Sequence, residues 1–377
     1  MYRVAEVAAE KMDLLGATLR ANPGYEFLPR RDRGGGVGNI PADFYGLLQP
    51  RPGGALRPRL VCAETALLFL TLREPGTIPA ATAQAFSLDA VWRLVLDGIL
   101  EVERGDGEFV SGADATALGP RASASVTSHP IAALSKQALE EAAEIEGGEA
   151  EVADFLYGYH RVPLSARWKA RLPDRASVFS FLGLADPIRR RLLERHWIGV
   201  DDAQPTGWIS WRARAAASIE SESARFKLYV SPALDDFPEV FAAVLDCLPS
   251  HATHFKIGAD ACGLLRPDKC VAYFSSLDGL HRCAQAVHES CGTVRVQGVP
   301  FTAPVDDDGL LTWGMDPPPQ PQRSSWRQWI TQRLATFLVD ARASRAANAC
   351  EFALERLRHE HVDPETFTPS SQIWSNG

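Results

Sequence analysis

The chain has 377 residues, of which 46% are hydrophobic and 23% are charged, and its formal net charge is −8 at pH 7. This composition is typical of a soluble globular protein, and the length allows two domains with separate cores. The acidic balance argues against a general nucleic-acid binder, and no apolar run approaches the ~18 residues of a membrane-spanning helix. The N-terminal stretch MYRVAEVAAEKMDLL carries acids and lacks an apolar signal core. We therefore expect a cytoplasmic protein with neither nucleic acid nor membrane as a partner.

The cysteines indicate neither disulfides nor a metal site. There are seven, an odd number, and no two of them form a C-x-x-C pair, so we expect reduced thiols. Two histidines and two cysteines lie close together in the sequence: His251, His254, Cys262 and Cys270. Their spacing, H-x2-H-x7-C-x7-C, matches no zinc-binding pattern, so we expect no metal.

The N-terminal third contains helices followed by a hairpin. ETALLFLTLRE is an apolar helix, and Ser87 is placed to cap a second helix, SLDAVWRLVLDG. ILEVERGDGEFVSG then predicts two strands joined by a Gly-Asp-Gly turn. This order predicts a winged-helix-like module over residues 1–120. Between Arg59 and Gly112 there are four arginines, no lysine and eight acids, so peptide docking or a structural role fits this module better than DNA binding.

The remaining chain predicts a linker and a larger domain. Residues 121–150 are small, polar and then acidic, which is typical of a boundary. Beyond them, the predicted strands GWISWRARA, KLYVSP, HFKIG and KCVAYF occur among helices such as DDFPEVFAAVLDCL and SLDGLHRCAQAVHES. The helices SSWRQWITQRLATFLVDARA and ANACEFALERLRHEH follow. Because there is no regular βαβ rhythm, we predict a mixed α+β domain over residues 151–377.

Several cations fall on or beside these strands. Lys227 and Tyr229 are two residues apart, so both point to the same face of an extended strand. Lys256 lies on the strand that follows the next short helix, and such strands often share a sheet. Arg266 and Lys269 occupy the loop before the strand after that. A single lysine or arginine on a strand usually reaches solvent. Several that converge on one sheet predict a pocket for an anion such as phosphate.

The chain resembles the HopA-type family over about residues 151–370. The matching stretches, in order and spacing, are FLYGYHRVP, KLYVSP, HFKIGADACGLLRPDKCVAYF, VPFTAPVDDDGLLTWGMDPP and SSWRQWITQRLA. The family is named for a plant-pathogen effector and is found also as stand-alone proteins in gene clusters for modified peptides. It is distantly similar to phosphothreonine lyase effectors and to the lyase domains of lanthipeptide synthetases, which implies a phosphothreonine-lyase-like domain here.

The resemblance implies an enzyme that eliminates phosphate from phosphoserine or phosphothreonine in a ribosomal precursor peptide. The products would be dehydroalanine and dehydrobutyrine, and such enzymes use no metal or organic cofactor. Because the chain contains no Gly-rich strand loop, HRD or DFG motif, we expect a separate kinase-like protein, possibly in complex with this chain, to phosphorylate the peptide.

The resemblance also implies roles for individual residues. Lys256 would be the general base, and Lys227 would hold the phosphate and lower the pKa of Lys256. The lyases have a Lys-x-His strand, but this chain has Tyr229 in place of the histidine. Either Tyr229 donates the proton to the leaving group, or the phosphate leaves with little protonation. The implied phosphate ligands are Arg266, Lys269, Arg333 and Arg214.

Two alternatives stay open at the level of sequence. A non-catalytic phosphopeptide- or leader-binding subunit of a peptide-modifying complex would keep the cations but would not need a neutral lysine. An interaction protein of the effector type rests on the family name alone.

Overall fold

The computed structural model describes residues 12–30, 43–53, 56–105, 107–118, 129–200, 207–215, 224–318 and 324–374. The chain divides into two compact units. The first comprises Met1–Val126 and Thr336–Glu360, and the second comprises Thr127–Ala335 and His361–Gly377.

The described residues form short strands and helices throughout. The strands, in chain order, are β1 (Leu19–Ala21), β2 (Tyr25–Pro29), β3 (Gly46–Pro50), β4 (Arg59–Val61), β5 (Leu100–Gly105), β6 (Glu108–Val110), β7 (Trp197–Val200), β8 (Trp208–Ala213), β9 (Phe226–Val230), β10 (His254–Gly258), β11 (Cys270–Phe274), β12 (Ala303–Pro304) and β13 (Leu311–Met315). The helices are α1 (Ala63–Thr71), α2 (Ala80–Ala83), α3 (Leu88–Leu96), α4 (Pro130–Ala143), α5 (Glu149–Gly158), α6 (Ala166–Arg171), α7 (Arg175–Phe181), α8 (Pro187–His196), α9 (Phe237–Cys247), α10 (Ala261–Leu264), α11 (Leu277–Ser290), α12 (Trp326–Ala343) and α13 (Ala349–His359).

The first unit has two three-stranded antiparallel sheets, with strand orders β1-β5-β6 and β2-β3-β4. Helices α1, α2 and α3 precede the β5–β6 hairpin, in the order that the sequence predicts. The Ser87 hydroxyl accepts a hydrogen bond from Ala90 N at 3.1 Å, which confirms the predicted cap of α3. Trp92 and Phe69 are buried in the core, together with Phe352 from α13. The winged-helix assignment stays a prediction, since the unit also contains the β2-β3-β4 sheet that the sequence analysis did not identify.

The second unit is built on one seven-stranded antiparallel sheet of order β12-β13-β9-β11-β10-β8-β7. Helices α9 and α11 pack against one face of this sheet. There, the ring centroid of Phe255 in β10 lies 6.4 Å from that of Phe241 in α9. Phe255 also stacks on Trp211 of β8, with ring centroids 4.7 Å apart. These large apolar side chains anchor the sheet on the helices and leave its other face for polar residues.

Both units combine helices with antiparallel strands, which confirms the predicted α+β class. The units differ from the predicted domain boundaries. The predicted linker, residues 121–150, contains α4, which belongs to the second unit and buries Ile131, Leu139 and other apolar side chains despite its acidic sequence. The segment Thr336–Glu360 belongs to the first unit, although its sequence lies near the C-terminus. Across the residues that the structure describes, every helix is too short or too polar to cross a bilayer.

Candidate active site

Two of the predicted cations, Lys227 and Lys256, lie on the sheet face opposite α9 and α11. In one row across the strands, Lys256 of β10 lies beside Val271 of β11, and Val271 lies beside Tyr229 of β9. Strand β11 therefore separates the two strands that carry the predicted pair, and Lys256 and Tyr229 stand about 10 Å apart along the row. The expectation that these strands share one sheet is confirmed, and the register also puts Lys256 and Tyr229 on one face.

The neighbouring row on the same face places a tyrosine ring between an imidazole and an ammonium group. His254 of β10 lies beside Tyr273 of β11, and Tyr273 lies beside Lys227 of β9. The ammonium nitrogen of Lys227 is 4.9 Å from the centroid of the Tyr273 ring, and that of Lys256 is 6.0 Å from it. Lys256 also lies over the Trp208 ring, 4.1 Å from its centroid. Aromatic faces thus hold both lysines without neutralising them.

A buried carboxylate orders two arginines beside the lysines. Asp268 accepts hydrogen bonds from Arg266 Nε at 2.8 Å and from Arg266 Nη2 at 2.9 Å. Arg327 Nη1 of α12 lies 3.0 Å from Oδ2 of the same carboxylate group. Arg266 Nη2 also donates to the hydroxyl of Tyr157, and Arg327 Nη2 donates to the Tyr157 carbonyl oxygen, both at 2.9 Å. Burial opposes ionisation of Asp268, but Arg327 and Arg266 hold its pKa below the usual range.

A second carboxylate fixes Lys227. Asp316, which follows β13, lies 2.7 Å from Lys227 Nζ through Oδ2. Its Oδ1 accepts a hydrogen bond at 2.8 Å from the backbone N–H of Trp326, the first residue of α12. Asp316 therefore links the start of the helix that carries Arg327 to the strand that carries Lys227. An ammonium has three N–H donors, so Lys227 keeps donors for a further anion.

Lys256 differs from the other three cations of the cluster because it forms no ion pair with any described residue. Its pKa is lowered to about 8, first by burial and then by the positive charges of Lys227 and Arg266. Four cations face two carboxylates here, so the cluster keeps an excess of positive charge that suits a dianion. A lysine with this pKa is neutral in a substantial fraction of molecules near neutral pH. It can therefore remove a proton, as a general base must.

The surroundings of Tyr229 weaken the proposal that it is an acid. Its side chain is 3% exposed. Burial raises its pKa well above the usual value, and the negative charge of Asp316 adds to that effect. A phenol with a raised pKa donates its proton less readily than a free tyrosine.

Three of the predicted phosphate ligands have other surroundings. Lys269 is fully buried and donates to Pro232 O at 2.9 Å and to Gln297 Oε1 at 2.6 Å, so its ammonium is occupied by protein acceptors. Arg214 donates from Nε to the carbonyl of Glu194 at 2.8 Å, next to the outermost strand β7. Arg333 is an exposed residue of α12, and its guanidinium lies 5.9 Å from the ring centroid of Trp329. Among the four predicted ligands, only Arg266 has described contacts with the cluster, and the phosphate-binding roles stay predictions.

The structure adds residues that the sequence analysis did not assign to the site. Two of these residues lie in stretches that carry the family resemblance: Asp316 ends GLLTWGMD, and Arg327 lies in SSWRQWITQRLA. The residues around an arginine near the start of a helix do not indicate whether its side chain is buried or solvated. The added residues are Tyr157, Trp208, His254, Asp268, Tyr273, Asp316 and Arg327.

Comparisons with known proteins give a distant similarity only. No family model matches the sequence, and no curated protein matches it. Two solved structures of effector proteins from Pseudomonas syringae, one from pathovar syringae strain 61 and one from pathovar tomato strain DC3000, are similar to this chain. The identities are 12% and 11%, and the TM-scores are 0.40 and 0.39. Each match covers 63% of this chain and 98% of the effector. The membership of the HopA-type family therefore stays a prediction from the sequence.

Proposed function

We propose that this protein is a carbon–oxygen lyase that eliminates phosphate from phosphoserine or phosphothreonine in a peptide. The observation that carries the proposal is Lys256: it is a partly buried lysine with a lowered pKa and no acidic partner among the described residues, inside a cluster of cations. A structural lysine is normally paired or solvated, whereas a general base has to be partly neutral. The HopA-type resemblance of the sequence points to the same activity.

The proposed reaction needs a general base and donors that bind the leaving phosphate. The Cα proton is weakly acidic and requires a base, which Lys256 supplies through its neutral amine. The phosphate carries roughly two negative charges and leaves with the electrons of the Cβ–O bond. Lys227 and Arg266 have donors for its oxygens, and fixed donors stabilise charge that develops in the transition state.

The carboxylates of the site act as positioning groups in this mechanism. Asp268 holds Arg266 and Arg327 in one orientation, and Asp316 does the same for Lys227. Preorganised charges of this kind do not have to reorient during the reaction, which is the source of their catalytic effect. The proposed reaction uses no metal or organic cofactor, and a separate kinase-like protein would supply the phosphorylated precursor peptide.

The test uses a synthetic peptide library with one fixed phosphoserine or phosphothreonine and randomised neighbours. We expect the protein to release inorganic phosphate and to leave peptides lighter by the mass of phosphoric acid. Lys256→Ala should abolish elimination, with a loss of at least roughly 100-fold, while phosphopeptide binding persists. Mass spectrometry measures elimination, and fluorescence anisotropy measures binding.

The outcomes separate the lyase from the binding subunit. Binding without elimination by the unaltered protein would favour a phosphopeptide-docking subunit. Elimination that persists in Lys256→Ala would show that Lys256 is not the base. Lys169→Ala, which removes an exposed lysine of α6, is the matched control and should behave as the unaltered protein does.

A further inference from the structure

His254 lies at the centre of the cationic cluster and has no role in the mechanism above. Its imidazole stacks on the Tyr273 ring, with centroids 3.8 Å apart and planes inclined by 15°. The ammonium groups of Lys227 and Lys256 lie 4.9 and 6.0 Å from the centroid of that same ring. One tyrosine ring therefore gathers the imidazole, the proposed base and a proposed phosphate ligand.

A chain of hydrogen bonds fixes which nitrogen of His254 is free. The hydroxyl of Thr253 donates to the carbonyl oxygen of Tyr273 at 3.1 Å, so its own oxygen is left to accept. That oxygen lies 3.1 Å from His254 Nδ1, and in this arrangement Nδ1 carries the proton. Nε2 has no hydrogen-bond partner among the described residues. It is therefore the nitrogen that can exchange a proton with a ligand.

The pKa of His254 depends on the charges around it, so a bound anion would change that pKa. Arg212 of β8, Lys227 of β9, Lys256 of β10 and Tyr273 of β11 face it on the sheet. Without a ligand, burial and the two lysines lower the pKa of His254 to about 4, so the imidazole is neutral. A phosphate dianion between the lysines would offset their charges and favour the imidazolium.

We propose that His254, and not Tyr229, donates from Nε2 the proton that the bridging oxygen of the departing phosphate takes up. This inference rests on the proposed lyase function. In the step, Lys256 takes the Cα proton, and the Cα–H electron pair forms the Cα=Cβ double bond. The electron pair of the Cβ–O bond goes to the bridging oxygen, which receives the proton of His254. The products are the dehydroamino acid, hydrogen phosphate, the Lys256 ammonium and neutral His254.

Counting protons gives a pH dependence that an acid-free mechanism does not share. Between about pH 6 and 8, free substrate is mainly dianionic, Lys256 is charged and His254 is neutral. The reacting state has neutral Lys256 and charged His254, and so it holds the same number of protons. With His254 as the acid, kcat/KM should be independent of pH in this range and should fall above about pH 8.

Without an acid, the reacting state holds one proton fewer than the free reactants. In that case kcat/KM should rise about tenfold per pH unit and should level off only above about pH 8. The slope of kcat/KM between pH 6 and 8 therefore reports whether a group donates a proton: it is zero with an acid and positive without one.

The experiment measures kcat/KM between pH 6 and 9 with the best phosphopeptide of the library. The unaltered protein should show the flat profile. His254→Gln should lose roughly 100-fold at pH 7 and should acquire the rising profile. Thr253→Val, which removes the hydroxyl that accepts from Nδ1 and donates to the Tyr273 carbonyl oxygen, should shift the profile in the same direction. His251→Gln, three residues earlier in the chain, should keep the flat profile.

Each outcome supports or overturns the role of His254 as the acid. A flat profile in His254→Gln overturns the role of His254 while elimination by the unaltered protein leaves the lyase function in place. A rising profile in Tyr229→Phe, with a flat one in His254→Gln, assigns the acid to Tyr229. Absence of elimination by the unaltered, folded protein overturns the lyase function and this inference together.

Discussion

At the scale of single residues, Asp268 decides the geometry of the proposed phosphate site. Its carboxylate is buried, and it is the shared partner of Arg266 and Arg327. The guanidinium groups of the buried Arg327 and the partly buried Arg266 repel each other unless an anion lies between them. Asp268 therefore stabilises the empty site and holds the arginines ready for a ligand that brings additional negative charge.

We predict that Asp268→Asn lowers the free energy of unfolding by about 3–5 kcal/mol, because it leaves the buried Arg327 and the partly buried Arg266 without their counter-ion. Inorganic phosphate should stabilise this variant more than it stabilises the unaltered protein, since the anion can replace the lost charge. Urea unfolding with and without phosphate measures both effects. Asp278→Asn, in an exposed pair with Arg282 on α11, should change the stability by less than about 1 kcal/mol. Equal stabilities of Asp268→Asn and Asp278→Asn would contradict the prediction.

Lys269 and Lys256 show what the sequence can and cannot tell about one residue. Lys269 was predicted to bind the phosphate and Lys256 to be the general base, and burial lowers the pKa of both. Lys269 is surrounded by carbonyl and amide oxygens, whereas Lys256 lies over aromatic rings. The spacing of charged residues along the chain predicted the region. Only the partners of each side chain separate a structural lysine from a proposed base.

At the scale of elements, the site depends on how closely α12 approaches β13. Gly314 of β13 lies in the row of Lys227, and a Cβ atom built on it would overlap the indole ring of Trp326. Trp326 begins α12, and its indole N–H donates to the carbonyl oxygen of Phe301 at 2.9 Å. The glycine thus allows the helix to begin next to Asp316 and to place Arg327 at the cluster.

We predict that Gly314→Ala destabilises the fold by about 1–3 kcal/mol and weakens phosphate binding, because the start of α12 has to move. Gly199→Ala in β7 is the matched control: a Cβ atom there meets open space. It should change stability by less than about 0.5 kcal/mol and should leave phosphate binding unaltered. Urea unfolding and calorimetric titration with phosphate measure the two quantities. Normal phosphate binding in a folded Gly314→Ala variant would show that this contact does not position the site.

At the scale of the whole molecule, the chain leaves the second unit and returns to the first. Helix α13 lies in the segment Thr336–Glu360 and packs on α3. His359 stacks on Trp92 with ring centroids 5.6 Å apart, and its Nδ1 lies 3.0 Å from Asp89 Oδ1. Phe352 belongs to the buried core of the first unit. The stability of the N-terminal unit therefore depends on residues that lie more than two hundred positions later in the chain.

We predict that Phe352→Ala removes about 3–5 kcal/mol of stability and speeds hydrogen exchange in α3. Phe241→Ala, a substitution of the same type in α9, should instead speed exchange in β10 and β11, because Phe241 packs against Phe255. Hydrogen–deuterium exchange with mass spectrometry measures both regions in each variant. If Phe352→Ala increased exchange in β10 as much as in α3, the division into these two units would be contradicted.

The sequence by itself determined the α+β class, the strands β8 to β11 and the helices α9 and α11. These features depend on residues that are close in the sequence: the alternation of apolar residues, the cap at Ser87 and the turn residues. They can therefore be recognised without knowledge of the fold. The sequence also placed Lys227 and Tyr229 on one face, because alternate residues of a strand point the same way, and it placed Lys256 in the same sheet.

Only the tertiary structure decided the partners of these residues. The order of strands in the sheet put β11 between β9 and β10, and so brought Tyr273 and His254 into the cluster. Long-range packing buried Lys269, brought Arg327 to Asp268 and assigned α13 to the first unit. Contacts between distant positions depend on strand order and register, which no local pattern of residues specifies. For that reason the sequence identified the cationic strands and the proposed base, whereas the proposed acid, His254, emerged from the contacts around one tyrosine ring.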